Sequence, residues 1–127
     1  ARFEDKINVE YDIQKDLMGE EVPVLCIQPL VENSIKHGLL GKSSGGTVYV
    51  SVRRSNHTIY IIVRDDGIGM TREKLRELRN NEGGNTGIGF SNIRRRIKKL
   101  RKGNIEIYST AGKGTVVTIS IESLAYD

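Results

Sequence analysis

Eleven consecutive residues, Gln28-Pro29-Leu30-Val31-Glu32-Asn33-Ser34-Ile35-Lys36-His37-Gly38, read as a helix that is apolar on one side and chemically equipped on another. Leu30, Val31, Ser34 and Ile35 fall where a buried stripe would lie. Glu32, Asn33, Lys36 and His37 lie elsewhere on the turn. Residues three or four apart are neighbours on a helix, so Asn33, Lys36 and His37 form one polar edge. An Asn amide oxygen can ligate a hard cation such as Mg²⁺, and a Lys can meet phosphate. An amphipathic helix with a merely solvated face has the same pattern, so this segment alone leaves both readings open.

The rest of the chain supplies strands to pack beneath that helix. Ile7 to Ile13 alternates as a half-buried strand. Glu20 and Glu21 ahead of Pro23 are a good helix start. Pro29 then removes a backbone donor, predicting a kink or a late start, and Gly38 and Gly41 are expected to end the helix. Thr47 to Arg54 and Thr58 to Arg64 read as an antiparallel pair joined at Asn56-His57, with Val48, Val50 and Val52 facing one way. Thr71 to Arg79 is a short charged helix with Leu75 and Leu78 inward. Asn80 to Thr86 is polar and Gly-rich, expected to be mobile. A helix follows from Phe90 to Lys102, then a hairpin of Ile105 to Ser109 and Val116 to Ile121. The order β-α-β-β-α-α-β-β predicts an α+β fold: a two-layer sandwich with helices on one face of a mixed, largely antiparallel sheet.

Three glycine turns punctuate that order. The third strand runs into Asp65-Asp66-Gly67-Ile68-Gly69-Met70. A carboxylate at a strand end could accept a hydrogen bond from an exocyclic amine, and Gly67 and Gly69 would let backbone approach a flat ligand. Gly87-Ile88-Gly89-Phe90 opens a helix, whose free N–H groups make an anion site. Gly112-Lys113-Gly114-Thr115 lies between the last two strands and, by itself, reads as a simple hairpin turn. Any one of these is an ordinary turn signal; their order after an Asn-bearing helix is not.

Taken together they resemble the N box, the two glycine boxes and the closing Gly-Thr turn of the GHKL ATP-binding superfamily of histidine kinases, gyrase, Hsp90 chaperones and MutL. The wording Gln-Pro-Leu-Val-Glu-Asn-x-Ile-Lys-His-Gly resembles sensor histidine kinases of the LytS/YehU type, and the resemblance runs from about Val22 to Glu122. It implies the Bergerat fold and use of ATP with Mg²⁺. It implies that Asp65 accepts from adenine N6 with Thr115 sharing the contact, and that Gly67 and Gly69 admit the base. Asn33 would coordinate Mg²⁺ and Lys36 would contact phosphate. His37 would pack against the nucleotide, triphosphate would sit at Gly87, Ile88, Gly89 and Phe90, and a lid would span about Thr71 to Thr86. The phosphorylated His of such kinases belongs to a separate helical dimerisation domain, and neither His37 nor His57 is expected to take that role.

One departure separates the branches. Hydrolytic members and serine kinases of the superfamily carry a Glu four residues before the Asn, as general base; here that position is Pro29. Glu32 precedes Asn33 and points about 100° away on an ideal helix. A neutral imidazole already offers a lone pair near pH 7, so loss of the base fits a histidine acceptor. Glu32 could still orient that acceptor. The chain is therefore expected to be one ATP-binding catalytic domain over residues 1–127, a piece of a sensor kinase that lacks its acceptor-histidine domain. Its expected partners are that dimerisation domain and a downstream response regulator. The first alternative is a GHKL-type ATPase or serine kinase.

Composition limits the remaining classes. With 37% hydrophobic and 28% charged residues the chain suits a globular domain. No apolar run approaches the roughly 20 residues that span a bilayer, so no direct membrane insertion is expected. The domain is expected to be cytoplasmic, its parent in the bacterial cell membrane. The single Cys26, in an apolar stretch, excludes an internal disulfide and reads as a buried thiol. Residues 94 to 102 hold seven of the 20 basic residues and no acid. A nucleic-acid-binding module is the second alternative on that ground. Ile93, Ile97 and Leu100 nevertheless recur as one helical stripe, which favours a core-packed helix with a basic solvent face and no nucleic-acid partner.

Overall fold

The computed structural model describes residues 7–15, 24–39, 44–80, 88–100 and 102–123. Among them the order is β1 (Ile7–Ile13), α1 (Val24–Ser34), a π-helical turn (Ile35–Leu39), β2 (Gly46–Ser55), β3 (Thr58–Asp65), α2 (Arg72–Asn80), α3 (Ile88–Lys98), β4 (Asn104–Thr110) and β5 (Gly114–Glu122). The strands form one sheet in the order β1-β2-β3-β5-β4. β1 runs parallel to β2 and every other pairing is antiparallel. This is the expected α+β arrangement.

Period-two alternation decides what the sheet buries. Val48, Val50 and Val52 on β2, Ile59, Ile61 and Val63 on β3, Ile105 and Ile107 on β4, and Val117, Ile119 and Ile121 on β5 all face the core. Leu30 and Val31 of α1, Leu75 and Leu78 of α2, and Ile93 and Ile97 of α3 cover them. The opposite face is polar and partly open: the Arg64 guanidinium lies 4.7 Å from the ring centre of its cross-strand neighbour Tyr49. Arg53 bonds Asp12 across the β1–β2 edge.

Local differences from the sequence reading have local causes. α1 carries Pro29 inside it and continues to Ser34. Gly38 does not stop the helix but lies within the π-helical turn, which ends at Leu39; Gly41 is outside the described residues. α2 starts one residue late because Thr71 caps it: its Oγ1 accepts from the Lys74 N–H at 3.2 Å. α3 begins at Ile88, two residues early, and ends at Lys98 rather than at Lys102. Its last turn tightens into bonds three residues apart, Lys99 N–H to Arg96 O and Leu100 N–H to Ile97 O, before Lys102 takes a positive φ of 50°. The segment 81–87 and the Cys26 side chain lie outside the described residues.

Ile93 and Ile97 of α3 are 2% and 0% exposed, so this basic helix is anchored in the core by its apolar stripe. Arg95, Arg96, Lys98 and Lys99 face solvent, while the half-buried Arg94 donates to the Leu78 carbonyl at 2.8 Å. Among the described residues no helix is long and apolar enough to cross a membrane.

Candidate functional site

The apolar rows of the sheet end in polar side chains at one rim. On β3 the inward series Ile59, Ile61, Val63 is continued by Asp65, and on β4 Ile105 and Ile107 are continued by Ser109. On β5 the series of Val117, Ile119 and Ile121 begins at Thr115. Register aligns Val48 with Asp65, Asp65 with Thr115, and Thr115 with Ser109. One cross-strand row thus carries a carboxylate and two hydroxyls, where the rows beneath carry only Val and Ile on β3, β5 and β4.

Asp65 is 4% exposed, and a buried carboxylate must be hydrogen-bonded. The Gly67 N–H donates to its Oδ1 at 2.9 Å. The Ser34 hydroxyl, from the last turn of α1, and the Thr115 backbone N–H donate as well. Burial nevertheless pushes the carboxyl above its ordinary value of 3.8; the Gly67, Ser34 and Thr115 bonds oppose this, and the nearby Asp66 charge adds to it. A carboxylate has about four lone-pair sites. Among the described residues these donors reach it from Gly67, Ser34 and Thr115, and its remaining lone-pair capacity can take a donor from outside.

Asp65 lines a cleft of about 110 Å³. Leu30, Ile68, Met70, Leu78, Ile107 and Val117 form its apolar walls; Asn33, Ser34, Lys74, Asp65 and Thr115 bring polar groups, and Gly38 and Gly69 complete the lining. Backbone lies close to backbone here. The Ile68 N–H donates to the Gly38 carbonyl at 3.1 Å. A Cβ on Gly67 would lie 2.5 Å from the Gly38 carbonyl carbon, and one on Gly38 would lie 2.9 Å from Asp65 Oδ1. Gly69 has φ +70°, which turns the chain so that Ile68 accepts from the Gly112 N–H at 2.6 Å. Asp66 points the other way and accepts from the Thr47 N–H at 2.9 Å, tying the turn to the start of β2.

The residues expected from sequence are placed as follows. Asp65, Gly69, Thr115 and Asn33 meet at the cleft, and Gly67 holds the carboxylate from beside it. Glu32 and Lys36 are exposed and do not line the cleft. Gly87 is outside the described residues, as are the side chains of His37, Ile88 and Phe90; Ile88, Gly89 and Phe90 form the first turn of α3. Sequence reasoning missed Ser34 as a partner of Asp65, Gly38 as a contact surface, and Ser109. Only Ser109 left a signal: it shares strand parity with Ile105 and Ile107.

Residues 20–124 match the family described as histidine kinase-, DNA gyrase B-, and HSP90-like ATPase. The chain is 39% identical over 100 residues to the sensor histidine kinase YpdA of Escherichia coli strain K12, covering 79% of this chain and 18% of that protein. It is 31% identical over 123 residues to the sensor protein LytS of Oceanobacillus iheyensis, covering 92% of this chain and 21% of LytS. The chain thus spans about a fifth of the length of these two curated relatives. The histidine kinase domain from the Erythrobacter litoralis EL346 blue-light activated histidine kinase has the same fold, with a TM-score of 0.69 at 23% identity, over 91% of this chain and 51% of that one.

Proposed function

The chain belongs to the family of histidine kinase-, DNA gyrase B- and HSP90-like ATPases, as a catalytic domain of the LytS-type sensor histidine kinase kind, and from that premise we propose that it binds MgATP and hands the γ-phosphoryl group to a histidine on a separate dimerisation domain. The observation that carries this reading is the Asp65 carboxylate, a buried acceptor lining a mostly apolar cleft. An adenine ring suits that site: its flat faces meet Ile68, Met70, Ile107 and Val117, and its exocyclic amine supplies a donor. The cleft is smaller than the roughly 300–1,000 Å³ of sites that enclose a whole ligand, so it takes the base and leaves the phosphates outside.

The phosphates would run along α1 toward the first turn of α3. The backbone N–H groups of that first turn, at Ile88, Gly89 and Phe90, would meet their charge, with Lys36 as a further cation; the roles expected of Gly87 and of the His37 side chain fall outside the described residues. The donor set also fits magnesium. Asn33 offers a neutral oxygen to a hard cation, and no cluster of three His, Cys, Asp or Glu exists among the described residues to compete for it. Bound there, Mg²⁺ supplies charge neutralisation on the phosphate oxygens. Pro29 replaces the general base of the hydrolytic branch, and Glu32, exposed beside Asn33, is free to orient an incoming imidazole. Positioning and electrostatics do the remaining work of phosphoryl transfer. The partners on this reading are the dimerisation domain and a downstream response regulator, on the cytoplasmic side of a membrane-bound parent.

Calorimetric titration with a non-hydrolysable ATP analogue tests the reading. Wild type should bind more tightly with Mg²⁺ than with EDTA. Asp65→Ala should lose about 1.5–3 kcal/mol in both, as for a hydrogen bond to a charged group. Asn33→Ala should lose affinity mainly when Mg²⁺ is present. Equal loss for Asn33→Ala in the two conditions would make Asn33 structural, and wild-type affinity in Asp65→Ala would remove the adenine assignment.

A further inference from the structure

Ser109 and Thr115 are register partners on neighbouring strands, with hydroxyl oxygens 2.8 Å apart. Thr115 lines the cleft; Ser109 stands behind it. Ser109 Oγ makes two further contacts: it accepts from the Met70 N–H at 2.8 Å and donates to the Gly114 carbonyl at 2.9 Å. A hydroxyl has one proton and two lone pairs. All three contacts are hydrogen bonds only in one arrangement. The Ser109 proton goes to Gly114, the Met70 N–H takes one lone pair, and the Thr115 proton goes to the other. If Ser109 donated to Thr115 instead, its 2.9 Å contact with the Gly114 carbonyl would have no proton, and one of the three hydrogen bonds would be lost.

We infer that Ser109 is a specificity-determining residue of the nucleotide cleft: by taking the Thr115 proton, it leaves the Thr115 hydroxyl with only lone pairs to offer a base. Asp65 and Thr115 then present acceptors alone. The inference rests on the proposed adenine site and names what that site selects, a purine with an amine at position 6 over one with a carbonyl there. An amine brings N–H donors to both groups. A carbonyl oxygen would face acceptors it cannot pair with, in a place where water cannot easily make up the loss.

The test is the ratio of dissociation constants for inosine triphosphate and ATP, which differ at position 6, measured with Mg²⁺ on this chain. Wild type should favour ATP. Ser109→Ala frees the Thr115 proton to meet a carbonyl, so the ratio should fall by about two- to tenfold, one hydrogen bond's worth. Ser109→Thr keeps a hydroxyl and should keep the ratio. In a Thr115→Val background Ser109→Ala should leave the ratio unchanged, because its effect runs through the Thr115 proton. Should Ser109→Ala fail to fold, Ser109→Cys, whose thiol is a weak acceptor, carries the same expectation. Equal weakening of both nucleotides with an unchanged ratio would overturn the inference and leave the adenine site standing. Failure of the wild type to bind either nucleotide would overturn the adenine site itself.

Discussion

Asp65 is held by two opposed effects, and their balance can be read out with pH. Burial favours its neutral acid, while donors from Gly67, Ser34 and Thr115 favour the anion; burial wins, so its carboxyl titrates above the ordinary 3.8. The folded chain therefore holds this proton more tightly than the unfolded chain. The resulting stability is present in full below 3.8 and is lost as pH rises through the raised folded value. Asp65→Asn has no such proton. The melting temperature of wild type minus that of Asp65→Asn should be largest in acid and shrink as pH climbs through that value. ATP affinity should run the other way in wild type, falling on acidification as the carboxylate is protonated, and should stay flat in Asp65→Asn. A melting difference that grows with pH would mean that the three donors outweigh burial.

Among the elements, the π-helical turn after α1 places the most chemistry for its length. It carries the Gly38 backbone onto the Asp65–Gly67 turn, where neither glycine has room for a side chain. Its wider, i→i+5 bonding also breaks the phase of the helix beyond Ser34. A uniform helical wheel puts Lys36 beside Asn33, yet Lys36 is exposed and Asn33 lines the cleft. No sequence pattern marks that change of period. Glycines separate two causes that are easily confused. Gly67→Ala would drive a Cβ into the Gly38 backbone, so it should weaken nucleotide binding and cost about 1–3 kcal/mol of stability as an overpacked site. Gly112 has φ +82° with nothing within 4 Å of a Cβ, so Gly112→Ala should cost about 1–2 kcal/mol of backbone strain and leave binding intact. Urea denaturation beside nucleotide titration checks both; a Gly67→Ala variant with normal affinity would show that the turn can shift without disturbing Asp65.

At the scale of the whole molecule, what sequence revealed was carried by local signals. Alternation located the strands to within a residue or two, and the glycine pair at 87 to 89 located the start of α3. Asp65 could be read as the end of a strand because a carboxylate followed an apolar run. The polar row across β3, β5 and β4 could not be read so directly, because its register is set by pairing between segments far apart in the chain. Ser34 looked like a small member of a buried stripe, which it is; only the folded chain puts a carboxylate beside it. The same whole-molecule view bears on activity. The chain spans a fifth of YpdA and of LytS; the His37 backbone lies in the π-helical turn and His57 in an exposed turn between β2 and β3, and on the proposed reading neither is the phosphoryl acceptor. With Pro29 in place of a general base, slow hydrolysis is expected as well. The decisive measurement is incubation with γ-labelled MgATP, alone and with the histidine-bearing dimerisation domain of the parent kinase added as a separate chain. Acid-labile label should appear on the added domain, with none on this chain and little free phosphate released in either arm. Label on this chain by itself, or rapid phosphate release without the added domain, would contradict phosphoryl transfer to a separate histidine and favour an ATPase.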